Sequence, residues 1–302
     1  MTYKDAQIEA LYPPEGDFLE VDGWRVHHVT RGQGPHVLLL HGAGGSTRDM
    51  TFRVLPDLEG AGFRLTAIDR PGHGYTTGRF EDLAVTPLEQ ARVCWRICDS
   101  LGIDRPIVLG QSFGGSVALA MELCRPGGTA GLCLVSAAVT DDLPTGAQGM
   151  EMLMRLDMIR GTTLAAISSE RFLETAMGRL FQPESVPEGY SQHFGPGMTM
   201  REKPFRHYMR QVSELGACLA RMMPHYDTIE APVELLHGSA DTILDFDAHA
   251  GWLARQIPQA RLTCLPGAGH MPHQTHTEHV LHAVIRIASG RGGRRGVTPA
   301  SA

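Results

Sequence analysis

No stretch of the sequence approaches the roughly 20 apolar residues of a membrane-spanning helix. Its first residues, MTYKDAQIEALYPPEGDF, lack the apolar middle and small-residue cleavage site of a secretory signal. Together these absences lead us to expect a cytoplasmic protein with no membrane span. Basic charge is not in excess. Lys and Arg number 27 against 33 Asp and Glu, a formal net charge of −6, so the basic face that nucleic acid or an anionic membrane demands is not expected. No Cys/His spacing resembles a zinc site. The six cysteines (Cys94, Cys98, Cys124, Cys133, Cys218, Cys264) sit mostly in apolar helix-like or strand-like runs and read as reduced packing residues. Internal repeats are also missing, and no pattern sets an oligomeric state.

What is present is enough apolar material for a large core: 42% of 302 residues. It falls in short β-rich runs that alternate with helix-compatible stretches. After the entry strands FLEVDG and WRVHHVT come HVLLLHG (36–42), RLTAIDR (64–70), PIVLGQ (106–111), GLCLVSA (131–137), PVELLHG (232–238) and RLTCLPG (261–267). Most of these are continuous rather than alternating, as in strands buried on both faces. LEQARVCWRICDSLG and SVALAMELC read as covering helices, with Gly102 as a C-terminal stop. The expectation is an α/β fold with a mostly parallel sheet, its ligand site at the carboxyl ends of the strands.

One stretch breaks the rhythm. Residues 139–228 lack a convincing strand, look helical, and hold 10 of the 14 methionines. We read them as a helical cap inserted in a core made of residues 1–138 and 229–290. Methionine adapts to irregular apolar shapes, so the cap can line an apolar pocket or simply pack on the body. The tail, residues 291–302 (RGGRRGVTPASA), has no apolar periodicity and reads as disordered.

The chemistry concentrates at four strand ends. In PIVLGQSFGGSVALAMEL a strand runs through Gly110-Gln111-Ser112-Phe113-Gly114 into a helix. A serine on so sharp a turn projects its oxygen clear of the backbone, next to a helix N-terminus where negative charge is stabilised. In HVLLLHGAGGS, glycines after a strand can expose backbone N–H groups. Ala43 and Phe113 are the candidate oxyanion donors, with Gly44 as the reserve for Ala43. The loop lacks the Lys-Ser/Thr of a P-loop and the Rossmann glycine spacing, so nucleotide binding is not expected. In LLHGSADTILDFDAH, Asp241 follows a late strand; in LTCLPGAGHMPHQTH, His270 follows the last one. Serine needs an imidazole to take its proton and a carboxylate to orient that imidazole, and these two supply them. Among 15 histidines position decides: His41, His73 and His237 read as structural, and His273, His276, His279 and His282 lie beyond His270. Asp245, Asp247 and the Asp141/Asp142 pair are the rival acids, and a helix N-cap is the structural role open to Asp241.

These residues resemble the α/β-hydrolase superfamily. The resemblance runs from about Phe18 to Ile287 and rests on HGAGGS (41–46), DRPGHG (69–74), GQSFGG (110–115), HGSAD (237–241) and GAGH (267–270). The chain order Ser112, Asp241, His270 is that of the fold. The resemblance implies an α/β-hydrolase fold with an eight-stranded, mostly parallel sheet, helices on both faces, and the cap after the sixth strand. It also implies a Ser112–Asp241–His270 triad, an acyl-enzyme intermediate, no cofactor and no metal, and it makes Asp69–Gly74 a structural element. Serine at the elbow disfavours the dehalogenases and epoxide hydrolases of the superfamily, which use aspartate there. The expected substrate is a small molecule, foremost a carboxylic ester with a small to medium apolar acyl group. A C–C bond hydrolase or a cofactor-free perhydrolase would use the same triad. Against the former stands Met271, where such enzymes often carry tryptophan, and the lack of an extended Gly-Pro-Gly oxyanion loop. An aminopeptidase elbow, Gly-Gly-Ser-Trp-Gly, differs from GQSFG. A non-enzymatic ligand-binding protein of this fold is the remaining alternative.

Overall fold

The computed structural model describes residues 3–78, 84–143, 170–292 and 297–299. Its sheet contains eight strands of five residues or more: β1 (Asp17–Val21), β2 (Trp24–Gly32), β3 (His36–Leu40), β4 (Arg64–Ile68), β6 (Ile107–Gln111), β7 (Gly131–Val135), β8 (Val233–Gly238) and β9 (Arg261–Leu265). Two short strands, β5 (Thr77–Gly78) and β10 (Val297–Pro299), are added at the margins. The order is β1-β2-β4-β3-β6-β7-β8-β9-β10, with β5 on β2. The β1/β2 and β2/β4 pairs are antiparallel and every pairing from β4/β3 onward is parallel. The eight expected strands are therefore present, and the antiparallel pairs lie at one end.

The central strands are apolar throughout because both faces are covered: β6, β7 and β8 are buried along their whole length. One core forms on each face. Each buried Leu or Val there contributes about 1.5–3 kcal/mol. The exceptions in β8 are His237 and Glu234, both fully buried, and the charge of Glu234 meets Arg286 at 2.6 Å from α11 (Thr277–Ala288). Helix α4 (Pro87–Leu101) is set by its ends. Thr86 and Glu89 form a capping box, Pro87 opens the first turn, and Gly102 closes it in the left-handed region at φ 64°. It packs against α5 (Phe113–Cys124), buried along most of its length.

Between β7 and β8 the described residues are helical and contain no strand. They form α6 (Glu170–Phe181), α7 (Tyr190–Phe194), α8 (Glu202–Met222) and short 3-10 turns at Pro196–Met198 and Met223–Thr228. Helix α8 turns Phe205, Leu215, Cys218, Leu219 and Met222 inward. Among the described methionines of this segment Met177, Met198, Met209 and Met222 are buried packing residues. The four between 150 and 158 lie outside the described residues, as does the rest of 144–169.

Three expectations need correction. Residues 297–299, read as part of a disordered tail, pair in parallel with Leu262–Cys264 of β9, whose outer edge offers unpaired backbone groups to the β-branched pair Val297-Thr298. Cys124, read as a packing residue, is exposed at the end of α5; Cys94, Cys98, Cys133 and Cys218 are buried. The first residues, read only for a targeting signal, form α1 (Tyr3–Leu11), held by Glu9 against Arg201 at 2.5 Å. Among the described residues no helix is long and apolar enough to cross a membrane.

Candidate active site

The candidate nucleophile sits where β6 turns into α5. Ser112 has φ 52° and ψ −118°, a conformation that L-residues adopt at a cost of order 1–3 kcal/mol. The strain is held by its neighbours. Ser112 N–H donates to Val135 O at 3.0 Å, and its carbonyl accepts from Gly115 N at 3.0 Å and Ala138 N at 3.2 Å. The flanking glycines are a packing demand: a Cβ on Gly110 would stand 2.3 Å from Gly114 O, and one on Gly114 only 2.2 Å from Leu40 O. Ser112 is half-buried, and its hydroxyl makes no hydrogen bond among the described residues, to His270 included. Catalytic hydrogen bonds of free enzymes are often long and tighten on substrate, so this geometry leaves Ser112 open as the nucleophile.

Asp241 and His270 are brought together. Asp241 leaves the turn after β8, and its Oδ2 accepts from His270 Nδ1 at 2.7 Å with the carboxylate fully buried. Oδ1 accepts from Ile243 N at 2.8 Å and Leu244 N at 3.0 Å, so Asp241 also caps a turn, not the helix N-terminus considered as its structural role. Burial alone would raise the pKa of this carboxyl. Hydrogen bonds from His237 and His270 override burial and hold it well below the usual carboxylate range. The His270 loop is fixed by the segment before it in the chain: His270 N donates to Leu180 O at 3.2 Å and Gly269 N to Glu184 Oε2 at 3.0 Å. Gln111, inside the elbow motif, donates from Nε2 to His270 O at 3.2 Å and so ties the serine turn to the histidine loop. With Nδ1 on Asp241, His270 Nε2 has no partner among the described residues.

The rival residues are engaged elsewhere. Asp141 and Asp142 are exposed. Asp245 caps Ala248 N at 2.8 Å. His273 Nε2 meets Asp49 at 3.0 Å, in a buried cluster with Tyr190 and Gln274. His276 Nδ1 lies 3.6 Å from Glu184. Asp69 accepts from Thr47 N, Tyr75 N and the His27 ring, which pins the DRPGHG turn.

The loop after β3 presents the candidate oxyanion donors. Neither Ala43 N–H nor Phe113 N–H, the first of α5, has a partner among the described residues. Gly44, the reserve, has its N–H turned to His73 Nε2 at 3.2 Å. Beneath the loop lies Arg70, fully buried. It donates from Nε to His41 O at 2.7 Å, from Nη2 to Gly42 O at 2.8 Å, and from Nη1 to Gln90 Oε1 at 2.6 Å and Gln211 Oε1 at 3.3 Å. Arg70 N–H donates to His41 Nε2 at 3.0 Å, so His41 carries its proton on Nδ1 and donates it to Gly42 O at 2.8 Å. From the helical segment between β7 and β8, Thr199 Oγ1 donates to Gly44 O, and a Cβ on Gly44 would stand 3.4 Å from the Tyr208 ring.

Sequence reasoning missed two contributors. His237, read as a loop support, approaches Asp241 Oδ2 with Nε2 at 3.1 Å and Leu244 O at 3.0 Å. The four-residue spacing within HGSAD carries that signal. Arg70 was visible only as the second letter of DRPGHG. Among the described residues no cluster of three or more His, Cys, Asp or Glu is placed to hold a metal ion.

Comparison with known proteins places the chain in a family. Residues 37–284 match the sequence profile of the alpha/beta hydrolase family. A 2-hydroxy-6-oxononadienedioate/2-hydroxy-6-oxononatrienedioate hydrolase of Burkholderia vietnamiensis is 27% identical, covering 87% of this chain and 90% of its own. Haloalkane dehalogenase 2 of Mycobacterium tuberculosis is 25% identical over 91% of this chain and 95% of its own. Among solved structures, an esterase from Exiguobacterium antarcticum superposes with a TM-score of 0.72 at 19% identity, covering 91% of this chain and 100% of that one.

Proposed function

Because the chain belongs to the alpha/beta hydrolase family, we propose that it is a serine hydrolase cleaving carboxylic esters with a small to medium apolar acyl group. The observation that carries the reading is the 2.7 Å Asp241–His270 pair, with Nε2 unpartnered among the described residues, at the same carboxyl end of the strands as the strained Ser112. With its Nδ1 proton on Asp241, His270 presents an Nε2 lone pair. It takes the Ser112 proton as Oγ attacks the acyl carbon. The oxyanion accepts from Ala43 and Phe113 N–H. His270 returns the proton to the departing alcohol, then deprotonates the water that releases the acid. The Tyr208 ring and Thr199 methyl beside Gly44 offer that side of the site an apolar wall.

The Burkholderia relative supports a second reading, hydrolysis of a C–C bond by the same residues. A fluorophosphonate probe tests the shared chemistry: the native chain is expected to label and Ser112→Ala to stay blank. Equal labelling would end the assignment. Turnover of p-nitrophenyl esters of increasing chain length beside a vinylogous diketone then separates the two substrates. Preference for the diketone would replace the ester reading.

A further inference from the structure

Arg70 is a buried cation whose partners are all neutral. Among the described residues it has no ion-pair partner; it meets two main-chain carbonyls and two glutamine side chains, with its guanidinium carbon 4.6 Å from the Phe113 ring centroid. An uncompensated charge in the interior is expensive, so its surroundings identify what it acts on. One of those carbonyls belongs to Gly42. In a trans peptide the C=O and the following N–H lie in one plane and point in opposite directions. The N–H opposite the Gly42 carbonyl is that of Ala43, the first candidate oxyanion donor. Three donors converge on Gly42 O: Arg70 Nη2 at 2.8 Å, His41 Nδ1 at 2.8 Å and Gly45 N at 3.2 Å. They fix the tilt of that peptide. The cation among them also draws electron density toward the oxygen, which leaves the Ala43 N–H more positive where it meets an anion.

We infer that Arg70 is a positioning residue that orients and polarises the Gly42–Ala43 peptide for oxyanion stabilisation, an inference that rests on the serine hydrolase reading above. Burial pushes its guanidinium down to about 9, still cationic at neutral pH. The arrangement extends into the cap, because Gln211 of α8 accepts from Arg70 Nη1 at 3.3 Å and donates to Pro71 O at 2.9 Å.

Gln90→Glu is the decisive variant. It keeps the acceptor 2.6 Å from Nη1, replaces a long 3.4 Å bond to Val85 O by an oxygen–oxygen contact that a small carboxylate rotation relieves, and adds the missing counter-charge. A scaffold arginine would be steadied by that pairing and activity would hold. A polarising arginine would lose its field. With p-nitrophenyl butyrate as probe, the expected result is a kcat lower by about 10-fold, a fraction of the loss from removing an oxyanion donor outright. KM should stay within about twofold, and the denaturation midpoint should be equal or higher. Arg70→Lys, which keeps the charge without the fork, should retain more kcat than Arg70→Met. Unchanged kcat in Gln90→Glu, with Ser112→Ala inactive, overturns the inference and leaves the triad standing. So does a kcat loss that comes with lost stability when Lys rescues no better than Met. Full activity in Ser112→Ala would remove the hydrolase reading and this inference with it.

Discussion

Asp241 serves four donors at once: two ring nitrogens on Oδ2 and two turn amides on Oδ1. That crowding makes Asp241→Asn informative. Asparagine can keep Oδ1 on Ile243 and Leu244, but its Nδ2 then faces His270 Nδ1 and His237 Nε2. His270 can meet that amide only by giving up its Nδ1 proton, which places the proton on Nε2, where the serine proton must go. The variant should therefore lose about 10³–10⁴-fold in kcat, the scale of a tautomer error in a serine triad. The stability loss should stay near the 1–3 kcal/mol of one mispaired buried polar group. Steady-state kinetics beside a denaturation curve checks both. Near-native turnover would move the acid to another carboxylate, with Asp141 and Asp142 first in line. His237 bears on the same carboxylate: Nε2 faces two acceptors, Asp241 and Leu244 O, so it carries the ring proton, while the buried Nδ1 has no partner among the described residues.

Between elements, what holds the site together is long-range and polar. Asp49 of α2 (Thr47–Phe52) accepts from Tyr190 of α7 at 2.7 Å, and from His273 and Gln274 of α10 (Pro272–Thr275) at 3.0 Å each. One buried carboxylate thus joins the loop side of β3, the inserted helices and the segment just after His270. Asp49→Ala would strand two buried donors, Tyr190 OH and His273 Nε2, while Gln274 Nε2 keeps its bond to Asp49 O at 2.7 Å, so a destabilisation of about 2–5 kcal/mol is expected in urea denaturation. A change under about 1 kcal/mol would show that the elements are held by their apolar contacts alone. Asp49, Tyr190 and the His273-Gln274 pair lie far apart in sequence, and that explains what could and could not be read from the chain. HVLLL, IVLGQ and GLCLV announced buried parallel strands because a run of consecutive apolar residues is itself the local signal. The elbow was legible because a strand, a Gly-x-Ser-x-Gly and a helix are contiguous. Gly102 was legible as a helix stop for the same reason. By contrast, Glu184 reaches Gly269 across 85 residues and Arg70 reaches Gln211 across 141, and no spacing rule encodes such pairs. Strand β10 was missed because what makes residues 297–299 a strand is the open edge of β9, not their own pattern.

At the scale of the whole molecule, the histidines set the response to acid. Burial lowers His28, His41, His73, His207 and His249, with His41 and His73 well below 6.5 and His207 down to about 4. Arg70 pushes His41 and His73 down further. The folded protein thus holds these rings neutral at a pH where the unfolded chain protonates them. A depressed imidazole contributes stability that is present above its ordinary value of 6.5 and is lost as pH falls toward its folded value. His27 runs the other way. Burial lowers it, but Asp69 at 2.7 Å more than reverses that and raises it. Its contribution is therefore complete below 6.5 and is lost as pH rises through its raised value. With His36, His193 and His279, which burial also lowers, eight depressed rings among the described residues stand against one raised ring, and unfolding takes up protons between pH 6.5 and 5, a window above the ordinary titration of Asp and Glu. Each extra proton costs about 1.4 kcal/mol per pH unit, so two of them remove on the order of 3–4 kcal/mol over that window. Urea midpoints measured from pH 5 to 7.5 should rise steadily to pH about 6.5 and then level. In His27→Asn the opposing contribution is gone, so the acid-side loss should steepen while the plateau above 6.5 changes less. A flat midpoint from pH 5 to 6.5 in the native chain would mean that these rings take up protons without unfolding, which the buried acceptor roles of His41 Nε2 and His73 Nε2 do not allow.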